Sequence, residues 1–260
     1  MDQLLHTVLL GIIEGVTEFL PISSTGHLLI AEHWLGQRSD LFNVAIQAGA
    51  ILAVVFIYWQ RLWGMLLGFA QPENRDYLIK MSGAFLITAA GGFIAKQLGL
   101  ALPKTVAPVA WALIVGGVVI LLIERYVSRH QISEQVTWKV AVAVGLGQIL
   151  AAVFPGTSRS AATIFAAMLT GLSSRAAATE FAFLVGIPTM FAATGYELLK
   201  VIKSGGAVNE DWTALGIGFV VSAAVAFIAV TWLLRYIQAH RFTVFAWYRI
   251  VFGVVLLCLV

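Results

Sequence analysis

The sequence predicts an all-α polytopic membrane protein with six transmembrane helices and two re-entrant helix hairpins in an inverted repeat. Of its 260 residues, 60% are hydrophobic and 11% are charged, which is more apolar side chain than a soluble domain of this size can bury. Long uncharged runs, such as Trp111 to Ile123 and Trp212 to Leu234, have the length and composition of spanning helices. These runs are continuous rather than alternating, which argues against a β-barrel.

Six of the apolar runs are long enough to cross the hydrocarbon core as helices. They cover about residues 41–60, 78–98, 106–124, 177–200, 213–235 and 243–260. The single cysteine, Cys258, lies in the last of them, so neither a disulfide bond nor a cysteine-based metal site is expected. The chain starts without a basic segment and carries Asp2, so a cleaved signal peptide is not expected either.

Two further apolar stretches, residues 3–36 and 138–172, are interrupted in the middle by FLPISSTG and by VFPGTSRS. Proline and the clustered small residues end one helix, and the hydroxyls suit the N-cap of the next. Each half is too short to cross the membrane comfortably. An interrupted helix is tolerated at membrane depth only where its backbone is buried in protein or lines an aqueous cavity. Both stretches are therefore predicted to be re-entrant hairpins.

The two hairpins are similar to each other in sequence. A shift of 134 positions superposes Gly11 on Gly145, Glu14 on Gln148, Pro21 on Pro155, Ser23 on Thr157 and Ser24 on Ser158. We therefore expect a single integral membrane domain over residues 1–260, with one repeat over about 3–124 and the other over about 138–260. Broken helices in inverted repeats point to a site near the bilayer midplane, where the repeats meet.

The basic residues of the loops predict the orientation in the membrane. With two re-entrant hairpins and six spans, both termini lie on one side, whose loops carry Arg38, Lys96, Lys104, Lys200 and Lys203. The opposite side carries more basic residues: Arg61, Arg75, Lys80, Arg125, Arg129, Lys139, Arg175, Arg235 and Arg241. Basic loops favour the cytoplasm, so both termini are expected outside and the hairpins enter from opposite faces. The net charge of +3 then reflects orientation, and no nucleic-acid partner is expected.

Two acids interrupt the apolar helix of the first hairpin. Glu14 and Glu18 are one helical turn apart and share a face. Two such carboxylates in apolar surroundings must share a proton or bind a cation, and their oxygens suit a hard divalent ion such as Mg²⁺ or Ca²⁺. We interpret them as metal ligands; the alternative is that one acid faces a headgroup layer or pairs with a basic side chain.

The segment PISSTGH supplies Ser23, Ser24, Thr25 and His27. A hydroxyl or the imidazole could act as a nucleophile, and His27 could instead transfer protons. The alternative is that the hydroxyls only cap the following helix and that His27 packs against it.

The segment PGTSRSAAT places Arg159 with Ser158, Ser160 and Thr163 at the start of a half-helix. Free backbone N–H groups, hydroxyl donors and a forked guanidinium together form a cradle for phosphate or pyrophosphate. The alternative is a structural arginine that joins the two hairpins. Arg249, inside the last apolar run, is expected to extend to the membrane surface or to a lipid headgroup.

Together, EGVTEFLPISSTGH and PGTSRSAAT resemble the two motifs of the undecaprenyl pyrophosphate phosphatase family, also called bacitracin-resistance proteins. The resemblance covers most of the chain and includes IQAGAILAVV and FAFLVGIP. It implies six spans and two re-entrant helix pairs in the bacterial inner membrane, with a site that opens toward the periplasm. It also implies removal of one phosphate from the C55 isoprenoid diphosphate, which regenerates the lipid carrier for peptidoglycan and other envelope glycans and confers bacitracin resistance.

Residue roles follow from the same resemblance, motif position by motif position. It implies that Glu14 and Glu18 hold a divalent cation, and that catalysis depends on Glu18, Ser24, His27 and Arg159. It implies that Ser158, Arg159, Ser160 and Thr163 bind the pyrophosphate. We expect Ser23 and Thr25 to contribute to substrate binding as well.

Broken helices in inverted repeats also occur in secondary transporters, so a polyprenyl-phosphate transporter or flippase is the alternative function. The presence of His27 beside Ser24 favours the phosphatase, because a transporter has no need of a nucleophile or a proton-transfer group. The sequence leaves open whether Ser24 or His27 is the nucleophile, which divalent ion is bound and whether the protein forms a homodimer. It also leaves open whether the protein moves its product across the bilayer.

Overall fold

The computed structural model describes residues 2–100, 105–129, 131–205 and 210–258, and over these ranges the chain is all-helical. The described helices are α1 (Asp2–Thr17), α2 (Ser24–Leu35), α3 (Asp40–Ile57), α4 (Trp59–Leu67), α5 (Pro72–Gln97), α6 (Val106–Val127), α7 (Trp138–Val153), α8 (Arg159–Leu169), α9 (Arg175–Lys203), α10 (Trp212–Ala239) and α11 (Thr243–Cys258). The predicted all-α class is confirmed for this part of the chain.

Five of the described helices, α3, α5, α6, α9 and α10, are long and apolar enough to cross a membrane. They correspond to five of the six predicted spans and indicate a multi-pass membrane protein. The sixth predicted span contains α11, which has 16 residues and is shorter than the other five. Residues 259–260 of that span, and Lys104 of the orientation argument, lie outside the described residues.

The first predicted span ends earlier than the sequence suggested. The chain departs from helix α3 at Tyr58, and a separate helix, α4, follows. One face of α4 carries Met65, which is almost fully buried, whereas Trp59, Trp63 and Leu67 are exposed. A short helix with exposed tryptophans is typical of the membrane interface.

Both interrupted stretches form pairs of short helices that begin and end side by side. In the first pair, Arg38, just after α2, donates hydrogen bonds of 3.3 Å to Gln3 and Thr7 of α1. In the second pair, Ser173, just after α8, donates to the carbonyl of Gln131 (3.0 Å) and accepts from the N–H of Ser133 (2.8 Å), both ahead of α7. Each chain segment therefore returns to the region from which it started.

The open ends of the two pairs lie at opposite ends of α10. Ser39, beside the first pair, donates a 2.8 Å hydrogen bond to Glu210, just before α10. At the other end, Phe242, just after α10, and Arg175, just after the second pair, both donate to the carboxylate of Glu124. The interrupted loops, residues 18–23 and 154–158, thus approach each other inside the bundle.

Close helix packing fixes the position of the acidic helix α1. A larger side chain has no room at two of its glycines: a Cβ on Gly11 would lie 3.0 Å from the carbonyl of Gly218, and a Cβ on Gly15 would lie 2.7 Å from that of Ser222. Small residues of this kind let helices in membranes approach backbone to backbone. Because Glu14 lies between the two glycines, the contact with α10 holds its side chain inside the bundle.

Candidate active site

The two loops between the half-helices share an unusual backbone conformation: each ends in a serine with a positive φ angle. Ser23 (φ 73°) and Ser158 (φ 68°) are the two non-glycine residues with positive φ in the described part of the chain. Each directly precedes the half-helix that follows, α2 or α8. The structure therefore matches Ser23 with Ser158, whereas the sequence shift matched Ser24 with Ser158. The two matches differ by one residue, because two residues separate Pro155 from Ser158 whereas only Ile22 separates Pro21 from Ser23.

Glu18 is the residue at which the two hairpins meet. Its Oε2 accepts a 2.5 Å hydrogen bond from the hydroxyl of Ser24, and its Oε1 is ion-paired with Nη2 of Arg159. Glu18 is 7% exposed, so both contacts are shielded from solvent and each is charge-assisted. The acid of the first hairpin thus joins a hydroxyl at the start of α2 to the guanidinium at the start of α8.

Unlike Glu18, Glu14 has a carboxylate that makes no hydrogen bond or ion pair with the described residues. It is fully buried, and neither of its carboxylate oxygens has a hydrogen-bond partner among the described residues. Its backbone carbonyl accepts a 2.9 Å hydrogen bond from the N–H of Glu18, so the two acidic residues are one helical turn apart. A buried carboxylate without a partner is energetically costly unless a proton or a cation satisfies it.

The hydroxyls of the second hairpin are already engaged with the protein. Ser158 caps α8 by accepting from the N–H of Ala161 (3.3 Å), and its hydroxyl is 3.0 Å from that of Ser160. Ser160 donates to the carbonyl of Leu20 in the first loop (3.1 Å). Thr163 donates to the carbonyl of Arg159 (2.8 Å). These hydroxyls lie beside Arg159, and the Ser160 bond connects the start of α8 to the first loop.

His27 does not contact the Ser24–Glu18 pair through a hydrogen bond. Its Nδ1 is 2.8 Å from the carbonyl of Ser23, and its Nε2 is 2.7 Å from the hydroxyl of Tyr248 on α11. Because a carbonyl only accepts, Nδ1 carries a proton, and in the neutral ring Nε2 accepts from Tyr248. The ring also stacks on Phe252, with centroids 4.5 Å apart. The imidazole is therefore held by α11.

The remaining two predicted residues, Ser23 and Thr25, flank Ser24. The hydroxyl of Ser23 is buried without a hydrogen-bond partner among the described residues, so it is available to a ligand. Ser23 also does not cap α2 with its side chain, contrary to the expectation for this hydroxyl. Thr25 is partly buried in the first turn of α2.

A small cavity lies at the junction of the hairpins. Arg159, Ser160 and Thr163 line it together with Glu18 and residues of α9: Ala182, Phe183, Gly186 and Met190. Its free volume is about 10 Å³, which accommodates about one water molecule. A diphosphate is larger than this volume.

Comparison with known proteins gives the family. The family model of the bacitracin resistance protein BacA matches residues 7–255. This chain belongs to the BacA family. A protein of Rhizobium etli named undecaprenyl-diphosphatase is 64% identical over 99% of this chain and 97% of its own length. Proteins of the same name from Stenotrophomonas maltophilia and Xanthomonas oryzae are 59% and 58% identical over the same shares.

The BacA-family resemblance read from the two motifs is thus confirmed, but one residue of the site region was misjudged. Arg249 does not extend to the membrane surface: it is fully buried and donates hydrogen bonds to backbone carbonyls of both loops, Pro21 (3.3 Å) and Thr157 (3.0 Å). The sequence did carry a signal, since a charge in the middle of an apolar run is costly unless protein groups satisfy it. It could not show which groups these are.

The side chains at the site could supply some of the ligands of a divalent cation, but not a full coordination shell. The two unpartnered oxygens of Glu14 and the carboxylate of Glu18, one helical turn away, are suitable oxygen ligands for a hard ion. No group of three or more His, Cys, Asp or Glu residues that could hold a metal occurs within the described ranges. The protein would therefore supply two carboxylates, and the rest of the shell would come from substrate oxygens and water.

Proposed function

We propose that this chain hydrolyses undecaprenyl diphosphate to undecaprenyl phosphate and inorganic phosphate at the junction of the two hairpins. The observation that carries the proposal is the double contact of Glu18 with Ser24 and Arg159. It combines a hydroxyl nucleophile, a carboxylate that can accept its proton and a guanidinium for phosphoryl oxygens. The name undecaprenyl-diphosphatase, borne by relatives of 58–64% identity, supports this substrate. Regeneration of the lipid carrier accounts for roles in cell-wall synthesis and bacitracin resistance.

In the proposed reaction, Ser24 attacks the terminal phosphorus of the diphosphate. The Ser24 oxygen bonds to phosphorus, its proton passes to Glu18, and the bond between that phosphorus and the bridging oxygen breaks. Undecaprenyl phosphate departs with the bridging oxygen, and a phosphate ester remains on Ser24. Water then bonds to this phosphorus as the ester bond breaks. Glu18 returns its proton to Ser24, and both protons of the water leave with inorganic phosphate.

In the proposed reaction, Arg159 exchanges its contact with Glu18 for contacts with the substrate. Before the substrate binds it is paired with Glu18, and it then moves to the phosphoryl oxygens as they occupy the junction. A guanidinium suits this role because its fork can contact two oxygens at once. The hydroxyl of Ser23 and the N-terminus of α8 provide further donors for the anion.

A divalent cation is part of the proposal. Glu14 and Glu18 would hold it, and it would neutralise charge on the diphosphate as the leaving bond breaks. The protein holds these two carboxylates in place independently of the ion, through the packing of α1 on α10 and the contacts of Glu18.

We also propose six spans, two re-entrant hairpins in an inverted repeat, location in the bacterial inner membrane and a site open to the periplasm. The packing supports the repeat: α1 packs on α10 as α7 packs on α5, while α3 contacts α9 and α6 contacts α11. This pattern is the one expected if α1, α3, α5 and α6 correspond to α7, α9, α10 and α11. The positions of the open hairpin ends at opposite ends of α10 agree with it.

The test is phosphate release from a long-chain prenyl diphosphate by the purified protein in detergent. We expect release by the wild type, loss in excess chelator and recovery on adding Mg²⁺ or Ca²⁺. Glu14→Gln should lose most of this metal-dependent activity. Arg159→Lys should lower turnover by about 10²-fold, because it keeps the charge but loses two-point contact. Arg61→Lys is the matched control, since Arg61 is ion-paired with Glu180 away from the site.

Transport and hydrolysis give different results in this assay. A carrier would release no phosphate and would instead move a prenyl phosphate across the bilayer of proteoliposomes. Full turnover in chelator would contradict the metal proposal, and wild-type turnover by Arg159→Lys would reduce Arg159 to a structural link between the hairpins.

A further inference from the structure

Arg249 is a buried cation that the proposed chemistry does not use. It lies in the middle of α11 and has no solvent exposure. No ion pair involving Arg249 is found among the described residues, so backbone dipoles alone balance its charge. A charge buried inside a membrane protein is costly enough that such an arrangement calls for an explanation.

Every N–H group of the guanidinium has one carbonyl acceptor. Nε donates to Leu113 (3.4 Å), Nη1 to Pro21 (3.3 Å) and Thr157 (3.0 Å), and Nη2 to Ala112 (3.1 Å) and Gly156 (3.2 Å). Arginine has five N–H donors in a fixed plane, so the set is saturated. No donor remains for a substrate.

The acceptors belong to three separate elements. Pro21 is in the loop that leads to Ser24, Gly156 and Thr157 are in the loop that leads to Arg159, and the other two acceptors are in α6. Interrupted helices leave carbonyls without helical partners, and the guanidinium supplies donors to both interruptions at once. It thereby sets the separation of the two half-helix N-termini.

We propose that Arg249 is a positioning residue that holds the Ser24 and Arg159 ends of the two hairpins in register for phosphoryl transfer. This inference rests on the proposed function. Arg249 acts through the loops and touches no reacting atom. The Ser160–Leu20 bond joins the start of α8 to the first loop at a second point, so losing Arg249 loosens the register without separating the hairpins.

A glycine of α6 offers an independent way to disturb the same contact. A Cβ on Gly116 would overlap Nη2 of Arg249, so Gly116→Ala displaces the guanidinium while leaving it in the protein. A Cβ on Gly216 of α10 would meet no atom within 4 Å. Gly216→Ala is therefore the matched control for glycine replacement in a helix.

The experiment measures kcat and KM for phosphate release by Arg249→Lys, Gly116→Ala and the double variant, normalised to folded protein, with thermal unfolding recorded in parallel. A lysine has three donors on one atom and cannot serve both loops. We expect each single variant to lower kcat by about 10-fold or more with KM changed much less, because displacement of reacting groups by an ångström has effects of this size. The double variant should be no worse than Arg249→Lys, since both changes act on one contact.

Three results would overturn the inference. A lower unfolding temperature with kcat unchanged per folded molecule would make Arg249 purely structural. A rise in KM alone would place it in contact with the diphosphate. Additive losses in the double variant would show that Gly116→Ala acts elsewhere. Phosphate release by the wild type and by Gly216→Ala tests the proposed function separately, so failure of that function would be recognised as such.

Discussion

At the residue scale, the contacts of Glu18 and His27 bear on which of the two residues accepts the proton of Ser24. The sequence suggested that His27 would manage the proton of a Ser24 nucleophile. In the structure, Ser24 donates to Glu18, whereas the Nε2 of His27 is occupied by Tyr248. Proton acceptance by Glu18 therefore needs no rearrangement, whereas acceptance by His27 first requires its bond to Tyr248 to break.

This difference predicts the effects of three substitutions. Ser24→Ala should abolish turnover while substrate binding persists. Glu18→Gln should lower kcat by about 10²- to 10⁴-fold, since it removes the proton acceptor. Tyr248→Phe should change kcat by at most about tenfold, the value of one neutral hydrogen bond.

Steady-state kinetics and rapid quenching of labelled substrate provide the measurement. The expected intermediate is a phosphate ester on Ser24, trapped by acid. A phosphohistidine on His27 would transfer the nucleophilic role to the imidazole, and the absence of any phosphorylated residue would favour direct attack by water.

At the element scale, the loop of the second hairpin depends on a glycine. Gly156 has φ +91°, and a Cβ there would lie 2.7 Å from the carbonyl oxygen of Val109 and 3.1 Å from the Cβ of Ala112 in α6. A side chain at this position is therefore opposed both by its backbone conformation and by the neighbouring helix.

Gly156→Ala should lower both the unfolding temperature and kcat. Gly171→Ala is the matched control, because Gly171 has φ +117° but open space around it. The backbone penalty of about 1 kcal/mol applies to both, whereas overpacking against α6, about 1–3 kcal/mol more, applies to Gly156 only. Thermal unfolding in detergent measures the difference. Equal effects of the two substitutions would mean that contact with α6 does not hold the loop in place.

At the scale of the whole molecule, the two interrupted pairs begin at opposite ends of α10, and we expect the end with more basic loop residues to be cytoplasmic. Gln37 lies beside the open end of the first pair and Arg129 near that of the second, and both are exposed. The two positions should therefore face opposite sides of the membrane.

Cysteine labelling tests this arrangement on a Cys258→Ser background. An impermeant reagent should modify Gln37→Cys in intact cells, and Arg129→Cys only after permeabilisation. Modification of position 129 from outside would reverse the orientation. Modification of both positions from the same side would contradict the inverted repeat.

Much of the architecture follows from local sequence. Continuous apolar runs predicted five of the spanning helices, and Pro21 and Pro155 with their polar neighbours located both interruptions, since these signals depend only on residues close together in the chain. The separate helix α4 was missed because Tyr58 and Trp59 do not break an apolar pattern.

The sequence alone also singled out the candidate site residues: Glu14, Glu18, Ser24 and Arg159 stand out because polar groups at membrane depth are costly and rarely incidental. Only the tertiary structure decided how they are paired. The Arg159–Glu18 contact spans 141 positions and the His27–Tyr248 contact spans 221, and Arg249 joins three elements. Contacts over such separations depend on how the helices pack, which no local pattern in the chain specifies.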